Sequence, residues 1–138
     1  MKALTILQPW ASLIACGAKK IETRSWATKY RGPIAIHAGK IEAKVKNKEI
    51  EAAIESALFY RTNSLYLPHG CVIATTNLID CFEMTDEWIG NLSQDELAFG
   101  WFDIGRYAWI LGGPVHQINP VPAKGMQGLW NWDESNGT

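Results

Sequence analysis

The sequence predicts an α+β domain, a small mixed β-barrel with helices closing its ends. Three observations carry that expectation. Strand-like segments outnumber helical ones along the chain, and the clearest helical pattern is confined to residues 44 to 60. The elements follow the order β, α, β, β, α, β, loop, β, β, unlike the strict alternation of βαβ units. A length of 138 residues, 47% of them hydrophobic, encloses one core. A single domain over residues 1–133 is therefore expected, with a short flexible tail at 134–138.

Residues 3 to 7, Ala-Leu-Thr-Ile-Leu, form the first strand, which Gln8-Pro9 ends. Pro9 suits the first turn of a helix, where the N–H it lacks would be unpaired anyway. That helix runs from about 9 to 16, with Trp10, Leu13 and Ile14 on one side and Gly17 as the left-handed residue that stops it. Between Lys20 and Trp26 the period becomes two, with Ile21, Thr23 and Ser25 on one face and Lys20, Glu22, Arg24 and Trp26 on the other. Tyr30-Arg31-Gly32-Pro33 reads as a turn, and residues 34 to 38 as a short buried strand.

In the segment 44 to 60, Ile50, Ala53, Ile54, Ala57 and Leu58 recur at helical spacing with charges elsewhere. Residues 61 to 70 are loop-like, and 71 to 82, rich in Val, Ile and Thr, read as a core strand. Short helical turns are expected over 86 to 98, with Ser93 as a cap and Glu96 three positions beyond it. Two further strands, 107 to 111 and 115 to 121, flank Gly112-Gly113-Pro114. Trp130 and Trp132, after the last of these strands, are expected to be structural.

The net charge of -1 conceals an asymmetry. Residues 1 to 48 carry ten Lys and Arg against two acids, net +8, and residues 49 to 138 carry three against twelve, net -9. This balance fits a phosphate-facing basic surface; it equally fits Lys40, Lys44, Lys46 and Lys48 solvating one end of a helix. Cys16, Cys71 and Cys81, odd in number and far apart, are expected as reduced thiols in a cytoplasmic protein. No cleavage site follows the short apolar N-terminus, and no apolar run approaches the roughly 20 residues a membrane helix needs. Neither a signal peptide nor a membrane span is expected.

Several chemistries are set aside. Gly100 to Gly105 spaces two glycines like a phosphate loop, but the Lys-Ser/Thr pair is missing and a strand follows where a helix should. His37, His69 and His116 are scattered without ligand spacing, so no metal and no cofactor are expected. No Gly-x-Ser-x-Gly elbow occurs.

The N-terminal third is more specific. Gln8-Pro9-Trp10-Ala11-Ser12-Leu13-Ile14, Gly17-Ala18-Lys19, Ile21-Glu22-Thr23-Arg24-Ser25-Trp26, Tyr30-Arg31-Gly32 and Ile36-His37-Ala38 follow one another in register. Further pieces are Gly70-Cys71-Val72-Ile73, Gly105-Arg106-Tyr107-Ala108-Trp109 and Gln127-Gly128-Leu129-Trp130. Together they resemble the ASCH family (activating signal cointegrator homology), whose fold is a PUA-like barrel. The resemblance implies a binding module for RNA, single-stranded nucleic acid or a modified nucleoside, with a charged cleft at Lys19, Glu22 and Arg24.

The residue chemistry agrees with that implication. Charged residues on an inward strand face persist only if paired or open to a ligand, so Glu22 and Arg24 read as a cleft pair or a structural ion pair. Trp10 and Trp26 are the expected base contacts, with Arg24, Ser25, Arg31 and His37 as further ligand-binding residues. Phosphates are expected at Lys20, Lys29, Arg31 and Lys40. Lys19, read as a cleft residue outside the core, is expected to cost only about 0.5 kcal/mol when replaced by Ala.

Two enzymatic alternatives follow from the family. One branch removes the acetyl group from N4-acetylcytidine with a Lys, a Thr and a Glu. Here Lys19 matches that lysine, Glu22 stands at the threonine's position, and Thr23 is expected to point away. The candidate catalytic set is then Lys19, Glu22 and, for the distal carboxylate, Glu96. Ribonuclease activity, with His37 or Lys19 as base, ranks third.

Overall fold

The computed structural model describes residues 1–133; the expected tail at 134–138 lies outside the described residues. The chain runs β1 (Lys2–Gln8), α1 (Trp10–Ala15), β2 (Ile21–Arg24), β3 (Gly32–Glu42), α2 (Lys48–Thr62), β4 (Cys71–Glu83), α3 (Asp86–Gly90), α4 (Gln94–Ala98), β5 (Tyr107–Pro122) and β6 (Leu129–Asn131). The strands form one mixed sheet in the order β2-β5-β4-β3-β1-β6. β1 and β3 are parallel, and the other neighbouring pairs are antiparallel.

The α+β class is as expected, but the sheet is not closed into a barrel. β2 and β6 are its two edges, four and three residues long, too short to supply a closing ladder. Register shifts in the β1/β3, β3/β4 and β4/β5 ladders mark bulges, which bend and twist strands. Through this curvature β2 comes back towards β1, where Arg24 Nη2 donates to the Thr5 carbonyl at 2.8 Å. A side chain spans the seam that a backbone ladder would otherwise fill.

Three boundaries differ from expectation, each for a local reason. The strands expected at 107 to 111 and 115 to 121 are one strand, because the ladder with β4 continues through Gly112 and absorbs Gly113 (φ 72°) and Pro114 in an irregular step. α2 starts at Lys48, four residues later than the periodicity implied, because Asn47 Oδ1 accepts from Glu49 N (2.8 Å) and Ile50 N (3.0 Å) and so caps it. β6 was not anticipated, since three residues are too few to display a period.

The main core joins Leu4, Ile6, Ile34, Ile36, Leu78 and Trp109 with Ala11 and Ile14 of α1. Leu13, on another side of α1, packs with Ile54 and Leu58 of α2 and with Phe99. Trp130 and Trp132 are buried with Ala3, Ala35 and Val72, which agrees with a structural role. The Met1 amine donates to the Trp132 carbonyl at 3.0 Å, and Trp132 N donates back to Met1 O at 2.8 Å. All three cysteines are free. Among the described residues no helix is long and apolar enough to cross a membrane.

Candidate functional site

A cleft of about 580 Å³ opens at the unclosed seam, between Thr5–Leu7 of β1, the Lys19–Trp26 stretch, and the Phe99–Trp101 segment with Arg106. Its size falls in the ~300–1,000 Å³ range of small-ligand sites. Local sequence builds each wall. The Gln8 side chain is fully buried and holds the start of α1, accepting from Ser12 N at 2.9 Å and donating to Ser12 Oγ at 2.7 Å. At the other end Gly17 (φ 83°) makes a Schellman turn, with Ala18 N donating to Leu13 O (2.9 Å) and Gly17 N to Ile14 O (3.0 Å). Lys19 N also donates to Leu13 O at 3.0 Å, which aims the Lys19 side chain inward.

Lys19 is 1% exposed. Its ammonium donates to the carbonyl oxygens of Ile21 (2.5 Å) and Phe99, and lies 3.9 Å from Glu22 Oε1. Burial pulls its pKa below the usual lysine value, while the carboxylates of Glu22 and Glu96 act to raise it. Beside it, Glu22 Oε2 accepts from Arg24 Nε (3.1 Å) and Nη2 (3.0 Å), and Glu22 Oε1 accepts from Thr23 N (3.1 Å). The Glu22–Arg24 pair is therefore formed in the seam. Its Arg24 bonds use Nε and Nη2, and Nη1 makes no hydrogen bond among the described residues.

The opposite lip was not foreseen. Trp101 is 62% exposed, and the Arg106 guanidinium stacks on its ring with a distance of 3.9 Å to the centroid. Thr23 pins this lip, since its hydroxyl accepts from Trp101 N (3.2 Å) and its carbonyl from Arg106 Nη2 (3.4 Å). Thr23 thus borders the cleft together with Glu22, although a strand turns successive side chains to opposite faces. The reason is that β2 is an edge strand, so the gap beside it meets both faces. Gly100 is needed at this point: a Cβ there would lie 2.6 Å from Phe102 Cε2 and 3.3 Å from Lys19 Nζ.

A family model for the ASCH domain matches residues 4–111. The chain belongs to the ASCH family. It is 30% identical over 137 residues to mouse "Activating signal cointegrator 1" and 29% identical over 139 residues to the human protein of that name. Each match covers 94% of this chain but 22% of the relative, so the chain spans about a fifth of their length.

In this ASCH domain the expected site residues divide into two groups. Trp10, Lys19, Glu22, Arg24, Ser25 and Trp26 come together around the cleft. Trp10 lies 5.9 Å, centroid to Nζ, from Lys19, and Trp26 packs edge-on against buried Trp109 at 4.7 Å while its carbonyl accepts from the Trp109 indole. Trp26 is thus half core, half cleft wall. Arg31, by contrast, is turned away: it bonds the carbonyls of Thr28, Tyr30 and Cys81 and pairs with Asp80 at 3.6 Å. Glu96 does not line the cleft; burial pushes its carboxyl pKa up and Lys19 pulls it down. As anticipated, Ser93 Oγ caps this turn by accepting from Glu96 N at 3.1 Å.

His37 is also outside the cleft. It is 2% exposed and its Nε2 donates to the Ala123 carbonyl at 2.7 Å, so Nδ1 is the unprotonated acceptor. Burial lowers its pKa from 6.5, with the Ala123 carbonyl opposing. On acidification the unfolded chain gains this proton before the folded one does. The stability linked to His37 is therefore complete above pH 6.5 and is lost as pH falls through the lower folded value. The melting temperature is expected to fall as the pH is taken below 6.5, and to fall less in His37→Gln. Parallel pH profiles in the two proteins would refute this.

Proposed function

We propose that this domain binds nucleic acid by taking one unpaired base into the seam cleft. The observation that carries the reading is the Trp101–Arg106 layer, an exposed indole with a guanidinium on its face, at the mouth of a cleft floored by Glu22 and Arg24. Indole faces and guanidinium planes stack bases whatever their identity, at roughly 1 to 3 kcal/mol per base. Inside, Arg24 Nη1 offers a donor and Glu22 Oε1 an acceptor, a pair suited to a base edge that carries both a carbonyl and an amino group. Membership of the ASCH family and the basic N-terminal third support the same reading.

Hydrolysis of an N4-acylated cytidine is the second reading, favoured by a lysine at the cleft whose pKa burial lowers and whose ammonium lies 3.9 Å from the Glu22 carboxylate. It ranks lower because the Lys19 ammonium is buried and already donates to two carbonyls. A ribonuclease reading ranks third, because His37 lies outside the cleft, in the neighbouring hollow with Lys40 and Lys124, and its Nε2 is already bonded to the Ala123 carbonyl.

Trp101→Ala tests the binding reading. Its side chain is largely exposed, so the melting temperature should stay within a degree or two, while affinity for a short single-stranded RNA falls roughly fivefold to a hundredfold. Unchanged affinity would remove Trp101 from the interface. Release of acetate from N4-acetylcytidine by the wild type would favour the hydrolase reading instead.

A further inference from the structure

The cleft does not end at Trp26. A second hollow continues from it along the seam, sharing Thr5, Arg24 and Trp26 with the cleft and reaching Met126, Gln127 and Gly128. A third shares Thr5, Met126 and Gln127 with the second and carries Lys40 and Lys124. The three adjoin one another around Thr5, beyond the stretch Lys2–Leu4 where β1 pairs with β6, and make one groove. We propose that a single strand of nucleic acid follows this groove, with one base in the cleft and its neighbouring phosphates held by Lys40 and Lys124. This rests on the base-binding reading above and adds the path of the strand and the two lysines that hold its phosphates.

Two observations support that occupant. Lys40 and Lys124 are both exposed, and neither takes part in an ion pair among the described residues, so their charge is available to phosphate. The segment that carries Lys124 is also fixed in position. The Ala123 carbonyl accepts from His37, and Gly125 sits so close to β1 and β3 that a Cβ would lie 2.7 Å from Thr5 Oγ1 and 2.8 Å from His37 Cε1. A cation on a pinned backbone loses less freedom on binding than one on a free loop. Lys40 comes from the end of β3, near Lys124 in space but far from it in sequence, which is why charge counting along the chain misses the pair.

The test is the salt dependence of binding of a fluorescently labelled short oligocytidylate, measured by anisotropy. Each phosphate neutralised on a single strand contributes about 0.7 to the slope of log K against log salt. Lys40→Gln with Lys124→Gln should make that slope shallower by about 1.4, whereas Lys44→Gln with Lys46→Gln, the same change of charge elsewhere, should leave it close to that of the wild type. Binding of cytidine without phosphate, followed by calorimetry, should be equal in all three proteins. An unchanged slope in the first double variant, or an equal change in the second, overturns the groove. If Trp101→Ala still weakens the oligocytidylate in that case, the base-binding reading survives the failure of the groove; if it does not, both fall.

Discussion

Lys19→Ala is expected to destabilise the folded domain by about 3 to 5 kcal/mol, not by the roughly 0.5 kcal/mol that a cleft residue outside the core would cost. The ammonium is 1% exposed, donates to the carbonyls of Ile21 and Phe99, lies 3.9 Å from the Glu22 carboxylate, and feels the more distant charge of Glu96. Removing it leaves two buried carbonyls without their donor, withdraws the positive charge that offsets two carboxylates, and opens a void where the stem lay. Lys19→Met separates these effects, because it keeps most of the stem and loses only the charge and the donors. Its cost should fall between wild type and Lys19→Ala. Denaturant unfolding at neutral pH measures both. A loss below about 1 kcal/mol in Lys19→Ala would show that the ammonium does not tie β2 to the Phe99 segment.

The Glu22–Arg24 pair gives the second large effect. Glu22 is 9% and Arg24 23% exposed at the side chain, so the pair is mostly desolvated, and removing either partner alone strands the other. Glu22→Gln and Arg24→Met should each cost about 3 kcal/mol, with Arg24→Met also losing the bond to Thr5 O across the seam. The double variant should cost less than the two singles together by about 1 to 3 kcal/mol, the signature of residues that act as a unit. Strict additivity would mean that the two side chains are independent. A folded double variant also provides the protein in which ligand binding can be assayed without the confusion of unfolding.

Much of this was legible in the sequence, for identifiable reasons. Gly17 stopped α1 where its left-handed preference placed it, Ser93 capped its turn, and the Gln8 to Trp26 stretch named the family and most of the cleft. What could not be read was what depends on curvature and on edges. Closure of the barrel turns on how β2 and β6 meet, and strands of four and three residues carry no pattern that encodes their partners. Because β2 is an edge, Thr23 borders the cleft, against the alternation that put it on the far face. Lys19 read as a cleft residue outside the core because charge type says nothing about the carbonyls of Ile21 and Phe99 that receive it. Trp101 did have a signal: it sits between Gly100 and polar Asp103 with no apolar period around it, which is the setting of an exposed ring.

The central claim, that an unpaired base enters the seam cleft against Trp101, is tested most directly by titrating isotope-labelled protein with a short single-stranded RNA and following amide and indole resonances. The account predicts that the largest shifts fall on the Trp101 indole and on the backbone of Thr23, Arg24, Gly100 and Arg106, with smaller ones reaching Lys124 and Gln127. Shifts centred instead on the exposed Phe59 and Tyr60 of α2, with the Trp101 indole unmoved at saturation, would contradict it.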